Sequence, residues 1–382
     1  MPSSFGTALR VTVFGQSHSE AIGCVVEGLP SGFAVDQEAL RRFCARRAPG
    51  RSPWSTARKE PDEARIVSGL NRQGRTCGAP LAAVIENVDV RSGDYAGLER
   101  VPRPGHADFS AQAKWHGEQD VAGGGHFSGR LTAPLCVAGG IALQVLEAWG
   151  VRVAAHLDSV AGVDDVPFAS AGNGEEDAET LAAQMDALAD GRAFPCIDLS
   201  AGERMRAEIE AARSAGDSVG GVVETVATGM PAGVGSPMLD GLESLIARIA
   251  FAIPAVKGVE FGAGFDASRL YGSEDNDPFG IVSGRPAPLT NNAGGILGGI
   301  STGAPIAWRM SVKPTPSIAI EQDSVDLAEG RPAKLVVRGR HDPCIAPRAV
   351  PVAEAACALA LLDAWLAFPP EAGMAGRPGC AR

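Results

Sequence analysis

The sequence predicts a mixed α+β fold that is built from two related halves. One pattern, Gly-x-Val-Val-Glu followed by Gly-(Leu/Met)-Pro-(Ser/Ala)-Gly, occurs at 23–32 and again at 220–233. A second pattern, Ala-Pro at the start of an apolar helix that ends in Ala-Trp, occurs at 133–149 and again at 346–365. Because both patterns recur in the same order, we interpret them as an internal duplication. The alternative is chance similarity between strands and helices that are rich in glycine and alanine.

The chain is long enough to form one large core. It has 382 residues, of which 45% are hydrophobic and 5% aromatic. We therefore expect a single domain over 1–368, with pseudo-repeats at roughly 9–150 and 215–368. The last stretch, 369–382, contains proline and glycine without a pattern and is predicted to be a flexible tail.

The charge and the cysteines argue against several classes of protein. A formal net charge of −11 argues against a nucleic-acid binder, so an anionic ligand would have to meet a local basic cluster. The eight cysteines form no Cys-x-x-Cys pair, and the first residues lack the pattern of a signal peptide. We therefore predict a reduced, cytoplasmic protein without a bound metal. The apolar stretches 131–146 and 353–368 are short for a membrane span and are expected to be buried core helices.

The elements follow from the hydrophobic pattern and the turn residues. Strands are predicted over 9–14, 20–30 and 334–338. A first helix is expected to begin after Asp36, a good N-cap, and to end before Pro49. Further helices are predicted over 131–149, over 239–253 and, in the acidic stretch between the halves, around Leu181, Met185 and Leu188.

The segment Gly15-Gln-Ser-His18-Ser follows the first predicted strand. Gly15 allows a sharp turn, which would leave His18 at the rim of a sheet with hydroxyl groups on both sides. Histidine titrates near neutral pH, so this position suits proton transfer. A single histidine near a turn is nevertheless more often structural, and the functional interpretation depends on the other motifs.

A second histidine and a basic segment supply further candidate groups. In Arg103-Pro-Gly-His106-Ala-Asp108, a tight turn presents the imidazole, the carboxylate could orient it and the guanidinium could bind an anion. The stretch 41–59 holds seven basic residues and no acid. There, Arg46, Arg47 and Arg51 flank a Pro-Gly turn where a basic loop could close over a phosphate or a carboxylate, whereas Arg41 and Arg42 suit a solvated helix face.

Two glycine-rich loops favour an anionic or flat ligand. The loop 123–129 opens a helix, whose free N–H groups and dipole attract an anion, and Ser128 and Arg130 add donors. The loop 291–303 would let the backbone approach a flat ligand, and Lys313–Ser317 adds a cation and hydroxyls in a stiff segment. A phosphorylated cofactor such as a flavin nucleotide fits the 291–303 loop and the Lys313–Ser317 segment, while the Rossmann fingerprint and the P-loop are absent.

The last motif is Arg340-His341-Asp342-Pro-Cys. With the motifs above, it leaves two functions open besides a flavin-dependent enzyme. Asp342 could act as a base or hold a flavin ring N–H group. A phosphohydrolase could use Arg340, His341 and His18, but the glycine that usually follows Arg-His in such phosphatases is missing. A flavin-binding protein without catalysis would not need His18.

Together these motifs resemble the chorismate synthase family. Gln16-Ser-His18, the 103–108 motif, the glycine loop at 292–301, Lys313-Pro-Thr and the 340–344 motif occur in the order of that family, over nearly the whole chain. The resemblance implies a β-α-β sandwich with internal pseudo-two-fold symmetry, assembled as a homotetramer. It also implies a carbon–oxygen lyase that removes phosphate from 5-enolpyruvylshikimate 3-phosphate by 1,4-anti elimination to give chorismate, using reduced FMN without net redox change.

The same resemblance implies roles for individual side chains. His18, supported by Ser17, would protonate the leaving phosphate, and His106 would interact with the reduced flavin. Asp342 would assist proton removal, with Ser128 supporting that region. The implied FMN contacts are His126, Phe127, Ser128, Ala255, Gly298, Lys313, Pro314, Thr315, Pro316, Ser317 and Arg340. The arginines that would bind the substrate or NADPH are Arg47, Arg51, Arg103 and Arg130.

The chain departs from the family pattern in two loops and at Pro254, which replaces an asparagine common before Ala255. His126-Phe127 stands where many members have Arg-Ser. In the basic loop Arg47 matches, whereas Ala48 and Pro53 occupy positions where arginines often occur and which are associated with NADPH. This difference favours a supply of reduced FMN from a separate flavin reductase, with NADPH acting only indirectly.

Overall fold

Two antiparallel five-stranded sheets enclose a layer of helices. This computed structural model describes residues 3–50, 54, 60, 62–88, 97–169, 175–189, 192–282, 284–337 and 341–370. Arg51 and Arg340, two of the predicted site residues, therefore lie outside the described residues, as do residues 371–382 of the predicted tail.

The elements are numbered in chain order. The strands are β1 (Ser4–Phe5), β2 (Arg10–Gly15), β3 (Ala21–Glu27), β4 (Arg65–Ser68), β5 (Leu81–Glu86), β6 (Arg152–Val160), β7 (Val163–Asp164), β8 (Gly221–Thr228), β9 (Val256–Phe261), β10 (Phe279–Val282), β11 (Arg285–Pro288), β12 (Ile296–Leu297), β13 (Ile300–Ser301), β14 (Ile306–Val312), β15 (Gln322–Asp326) and β16 (Arg331–Leu335). The α-helices are α1 (Gln37–Arg47), α2 (Asp108–Trp115), α3 (Thr132–Ala148), α4 (Glu175–Ala189), α5 (Leu199–Ser214), α6 (Leu242–Ala250), α7 (Gly272–Asp275) and α8 (Ala346–Ala367).

The predicted α+β sandwich is confirmed. The first sheet has the order β1-β2-β3-β5-β4 and the second the order β7-β6-β8-β14-β9. Both copies of the Gly-x-Val-Val-Glu pattern lie in the central strands, β3 and β8. Strand β14 alternates buried and partly or fully exposed residues, so that Ile306, Trp308 and Met310 face the helices. The placement of the two copies supports the duplication, and the boundaries of the two repeats remain a prediction.

The helical layer consists chiefly of α3 and α8, which carry the second repeated pattern. Helix α3 packs on β3 and β5, helix α8 packs on β6 and β8, and the two helices pack on each other. A β-carbon built at Gly139 would lie 2.3 Å from the β-carbon of Ala355, so the glycine permits this close contact. Both helices are long and apolar enough to cross a membrane by length and composition alone, but most of each is buried inside the protein, as predicted for core helices.

Several predicted boundaries change. Asp36 caps α1 as predicted, accepting bonds from the N–H groups of Glu38 and Ala39. The helix predicted over 239–253 is shorter, because Met238–Asp240 form a 3₁₀ turn and the extended backbone of Gly241 starts α6 afterwards. The acidic stretch between the halves is helical: α4 buries Leu181, Met185 and Leu188 against the outer side of the second sheet.

Candidate active site

A cleft of about 570 Å³ lies where loops from both halves of the chain meet. Most of the predicted site residues line it, although the sequence scatters them over more than 300 positions. These residues are His18, Arg47, Arg103, His106, His126, Phe127, Ser128, Arg130, Ala255, Lys313, Thr315, Pro316, Ser317 and Asp342. The size is typical of pockets that take a cofactor or a small substrate.

Three predicted residues do not line the cleft. Ser17 is fully buried behind it, and its hydroxyl has no hydrogen-bond partner among the described residues. Pro314 is exposed beside it. Gly298 lies in the exposed turn between β12 and β13, so a single chain does not bring it to the other predicted flavin contacts.

His18 lies in the turn between β2 and β3. Gly15 has φ +100° and pairs with Ile22, which starts the turn at the end of the strand. The Ser19 hydroxyl closes the turn, donating to the carbonyls of Gln16 and Ala21 at 2.9 and 2.8 Å. Ser19 is therefore a turn residue, and His18 faces the cleft from the rim of the first sheet, as predicted.

Three glycines separate the two candidate histidines. Gly123, Gly124 and Gly125 all have positive φ, at +62°, +84° and +54°. A β-carbon at Gly123 would lie 2.7 Å from the His18 ring, and one at Gly124 would lie 3.2 Å from Nε2 of His106. The absence of side chains therefore lets both imidazoles approach the same loop.

The His106 ring is held by a carboxylate and a guanidinium. Nδ1 of His106 and Oδ1 of Asp108 are 2.5 Å apart. Arg103 donates Nε and Nη2 to the same carboxylate at 2.7 and 2.8 Å, and it donates Nη1 to the Ser317 hydroxyl at 3.3 Å. Burial would raise the pKa of Asp108, but hydrogen bonds from Arg103 and His106 lower it well below its usual range. Arg103 therefore forms an ion pair with Asp108, whereas the sequence suggested that it could bind an anionic ligand.

Asp342 is fixed by an arginine that the sequence reasoning missed. Nη1 of Arg348 pairs with Oδ2 of Asp342, and its Nε donates to the carbonyl of Arg47 at 3.0 Å. Arg348 lies in the first turn of α8 and also lines the cleft. Burial lowers the pKa of Arg348 in spite of the adjacent carboxylate. The contact keeps Asp342 next to a positive charge at the start of the helix.

A buried ion network forms another wall of the cleft. Asp62 pairs with Nη1 of Arg47 and with Nη1 of Arg130. Glu60 lies 2.7 Å from Nε of Arg130. Nη2 of Arg130 is buried and has no hydrogen-bond partner among the described residues. Arg130, which lines the cleft, therefore keeps one guanidinium nitrogen without an acceptor among the described residues.

The opposite part of the cleft combines cations with hydroxyls. Burial and the nearby charge of Lys257 lower the pKa of Lys313. The buried Thr315 hydroxyl has no hydrogen-bond partner within the described chain. Ala255 has φ +74°, an uncommon conformation for alanine, and its carbonyl accepts the N–H of Lys313 at 3.0 Å.

His126 and Phe127, which differ from the residues found in many members of the family, form an aromatic wall. Their ring centroids are 4.3 Å apart, and Trp115 packs edge-on against His126 at 5.1 Å. Nε2 of His126 is buried without a hydrogen-bond partner among the described residues. This wall supplies a flat, largely apolar surface and one polar ring atom.

One sequence interpretation needs correction. Arg46 does not flank the cleft: it turns toward the core and makes two bonds, at 2.6 and 2.8 Å, to Glu354 on α8. In the glycine loop at 291–303, two of the glycines have a structural role. β-carbons at Gly294 and Gly295 would collide with the carbonyls of other segments, so these glycines allow the chain to pack on itself.

Two of the residues that the sequence reasoning missed share one signal. Glu60 and Asp62 are the first acids after the basic stretch 41–59, and they neutralise arginines rather than solvate the loop. An acid that follows a long uncompensated basic run in an acidic protein is therefore a candidate partner. Lys257 and Thr132, which also line the cleft, carried no such signal.

The comparisons with known proteins agree with this arrangement. The model of the chorismate synthase family matches residues 9–366. The chorismate synthase of Lancefieldella parvula is 50% identical over 97% of this chain and 98% of its own, and that of Thermococcus kodakarensis is 45% identical over 94% and 96%. A crystal structure of chorismate synthase has a TM-score of 0.72 at 25% identity and covers 95% of this chain and 93% of its own. With a family match that spans nearly all of its length, the chain belongs to the chorismate synthase family.

Proposed function

We propose that the central cleft is where the chain carries out the reaction of its family, the elimination of phosphate from 5-enolpyruvylshikimate 3-phosphate to give chorismate. The observation that carries this location is the buried Nη2 of Arg130, an N–H group without an acceptor in the same cleft as His18 and His106. A buried donor of this kind favours a negatively charged partner. The substrate offers two carboxylates and a phosphate.

The cleft also fits a flavin nucleotide. The lysine pair at 257 and 313 suits a phosphate or an anionic ring, the Thr315 hydroxyl has no partner among the described residues, and the wall at 126–127 is flat and apolar. Reduced FMN, when bound, would supply electron density to the substrate ring during the elimination. We propose that Lys313–Ser317, Ala255 and the 126–128 segment hold it, with Gly298 and Arg340 remaining predicted contacts.

The chain's own groups then have distinct tasks. His18 would hold a proton for the departing phosphate oxygen, with the buried Ser17 hydroxyl behind it. Asp342, held by Arg348, would assist removal of the ring proton, and Ser128 would support that side of the cleft. His106 would present the ring edge opposite Nδ1, because Asp108 occupies Nδ1. Arg47 and Arg130 would orient the substrate anions.

Further proposals concern assembly and supply. Large apolar side chains between 265 and 281 are exposed, with Phe265 at 80% and Tyr271 at 78%. Such a patch supports association between copies, in agreement with a homotetramer. We also propose a cytoplasmic enzyme that receives its reduced FMN from a separate flavin reductase, so that NADPH acts only indirectly.

The decisive experiment is anaerobic. Purified protein is mixed with chemically reduced FMN and 5-enolpyruvylshikimate 3-phosphate, and both phosphate and chorismate are measured. Equal amounts of the two products are expected. Release of phosphate without any flavin would indicate a phosphohydrolase, and flavin binding without turnover would indicate a binding protein.

A second reaction tests the supply of flavin. The same mixture receives NADPH and oxidised FMN in place of the chemically reduced cofactor. No turnover is expected until a flavin reductase is added. Turnover with NADPH and FMN alone would show an intrinsic reductase and contradict this part of the proposal.

A further inference from the structure

We propose that Asp62 is a positioning residue of the substrate site: its single buried carboxylate holds Arg47 and Arg130 so that one N–H group of Arg130 faces the substrate anion. This inference rests on the proposed location of the reaction. Asp62 does not line the cleft. It would therefore act only through the two arginines.

The contacts use both oxygens of the carboxylate. Oδ2 of Asp62 accepts from Nη1 of Arg47, and Oδ1 accepts from Nη1 of Arg130. Arg47 ends α1, whereas Arg130 lies in the 3₁₀ turn immediately before α3. One side chain therefore sets the distance between cations on two different elements. The Asp62 side chain itself is 0% exposed.

The other guanidinium nitrogens of these two arginines each have at least one partner. Arg47 donates Nε to the Thr132 hydroxyl and Nη2 to the carbonyl of Gly129, both at 3.0 Å. Nε of Arg130 lies 2.9 Å from Oδ1 of Asn87 and 2.7 Å from Glu60. Nη2 of Arg130 is thus the group of this network that still offers a buried donor.

The backbone conformation at Asp62 favours aspartate or asparagine over most other residues. Its φ is +52°, in the left-handed region that costs most residues about 1 kcal/mol. Aspartate and asparagine tolerate this region better than other residues. Burial would raise the pKa of Asp62, but the charges of Arg47 and Arg130 lower it overall, and the carboxylate stays ionised.

The test variant is Asp62→Asn. Asparagine accepts the same backbone conformation and has nearly the same size, so the variant removes the charge while it preserves the turn. We expect the KM for 5-enolpyruvylshikimate 3-phosphate to rise about tenfold, with a smaller change in kcat and an unchanged affinity for FMN, because an anion loses a correctly oriented charged donor. Glu63→Gln is the matched control, since Glu63 is the adjacent acid, is exposed and lies outside the cleft.

A second variant keeps the outcome decisive. Asp62→Gly removes the same carboxylate at a positive φ that suits glycine, and it should raise KM at least as much; circular dichroism checks that each variant is folded. An unchanged KM in a folded Asp62 variant of an enzyme that makes chorismate would overturn the inference. Absence of chorismate from the wild-type protein would instead overturn the proposed function.

Discussion

At the scale of single residues, the two histidines of the cleft are held by different means. His106 is clamped by Asp108, whereas His18 is positioned by the backbone of a tight turn and by the glycine at 123. An imidazole that is held by a carboxylate keeps one tautomer, so its other ring nitrogen can serve the ligand. The two rings are thus equipped for different tasks within one cleft.

We expect His18→Ala and His106→Ala each to remain folded and to lose activity by about 10²-fold to 10⁴-fold, the usual contribution of a proton-transferring side chain. Chorismate formation under anaerobic conditions is the measurement, with circular dichroism to check the fold. His116→Asn serves as control, because His116 is exposed, lies outside the cleft and has a φ of +54° that asparagine tolerates. Turnover near the wild-type rate in either alanine variant would refute the assigned role.

His156 lies outside the cleft. It is fully buried, with Nδ1 at 2.9 Å from Asp165 and Nε2 at 2.8 Å from Glu224. These carboxylates also accept backbone N–H groups of Ile197 and Phe168. Burial would lower the pKa of His156, but the two hydrogen bonds raise it to about 9. The imidazolium therefore ties the segments around 168 and 197 to the second sheet.

This raised pKa predicts a pH dependence of stability. A group whose pKa is higher in the folded state stabilises the protein fully below its unfolded pKa, about 6.5, and loses that contribution as the pH rises through about 9. The urea concentration at the unfolding midpoint of the wild type should therefore decrease as the pH is raised from about 6.5 to about 9. His156→Gln should be less stable at pH 6 and should lack this component. Parallel pH profiles for the two proteins would contradict the assignment.

At the scale of elements, the loop 123–125 lies between the side chains of His18 and His106. Its three positive φ angles exclude most side chains. Ser17 donates its N–H to the carbonyl of Gly125 at 3.0 Å, which ties the loop to the turn that carries His18. The loop and the turn therefore form one unit although more than 100 residues separate them in sequence.

Gly123→Ala should disturb that unit. The new β-carbon would lie 2.5 Å from the Ser17 hydroxyl and 2.7 Å from the His18 ring, so we expect kcat to fall by at least about tenfold through displacement of the imidazole. Gly74→Ala is the matched control, because its φ is +72° but nothing lies within 4 Å of the added carbon. An equal loss of activity in both variants would assign the effect to backbone strain alone.

Local signals predicted the elements better than the contacts between them. The cap at Asp36 and the turn at Gly15 follow from neighbouring residues, and both are confirmed. Arg46 and Arg47 are adjacent, yet successive residues of a helix point about 100° apart, and one meets Glu354 while the other meets Asp62. Which of two neighbouring arginines reaches the cleft depends on distant partners that a linear pattern does not specify.

At the scale of the whole molecule, the contact between α3 and α8 joins the two sheets. Gly139 brings the helices close, and Gly140 faces Leu40 and Phe43 of α1. The prediction of two buried helices, which rested on apolar stretches short for a membrane span, is confirmed, since most of each helix is buried inside the protein. Their direct contact was not predictable from either pattern alone.

Gly139→Ala should destabilise the protein by about 1–3 kcal/mol, the usual cost of overpacking a tight core, because the new methyl group would overlap Ala355. Urea unfolding measures the effect. Gly272→Ala, in α7, controls for the loss of a glycine without a positive φ, because the added carbon would meet only an ordinary contact at 3.9 Å. A variant as stable as the control would show that the two helices can separate without cost.

The position of α8 in the chain has a consequence for synthesis. The helix that lies against the second sheet and against α3 comes last, and its Asp363 accepts the N–H groups of Thr7, Ala8 and Leu9 at the other end of the chain. The nascent polypeptide can therefore pack α3 on the first sheet before α8 is made, whereas the second sheet still lacks its covering helix. A product truncated before Ala346 would leave the inner face of the second sheet and one side of α3 exposed, which favours aggregation.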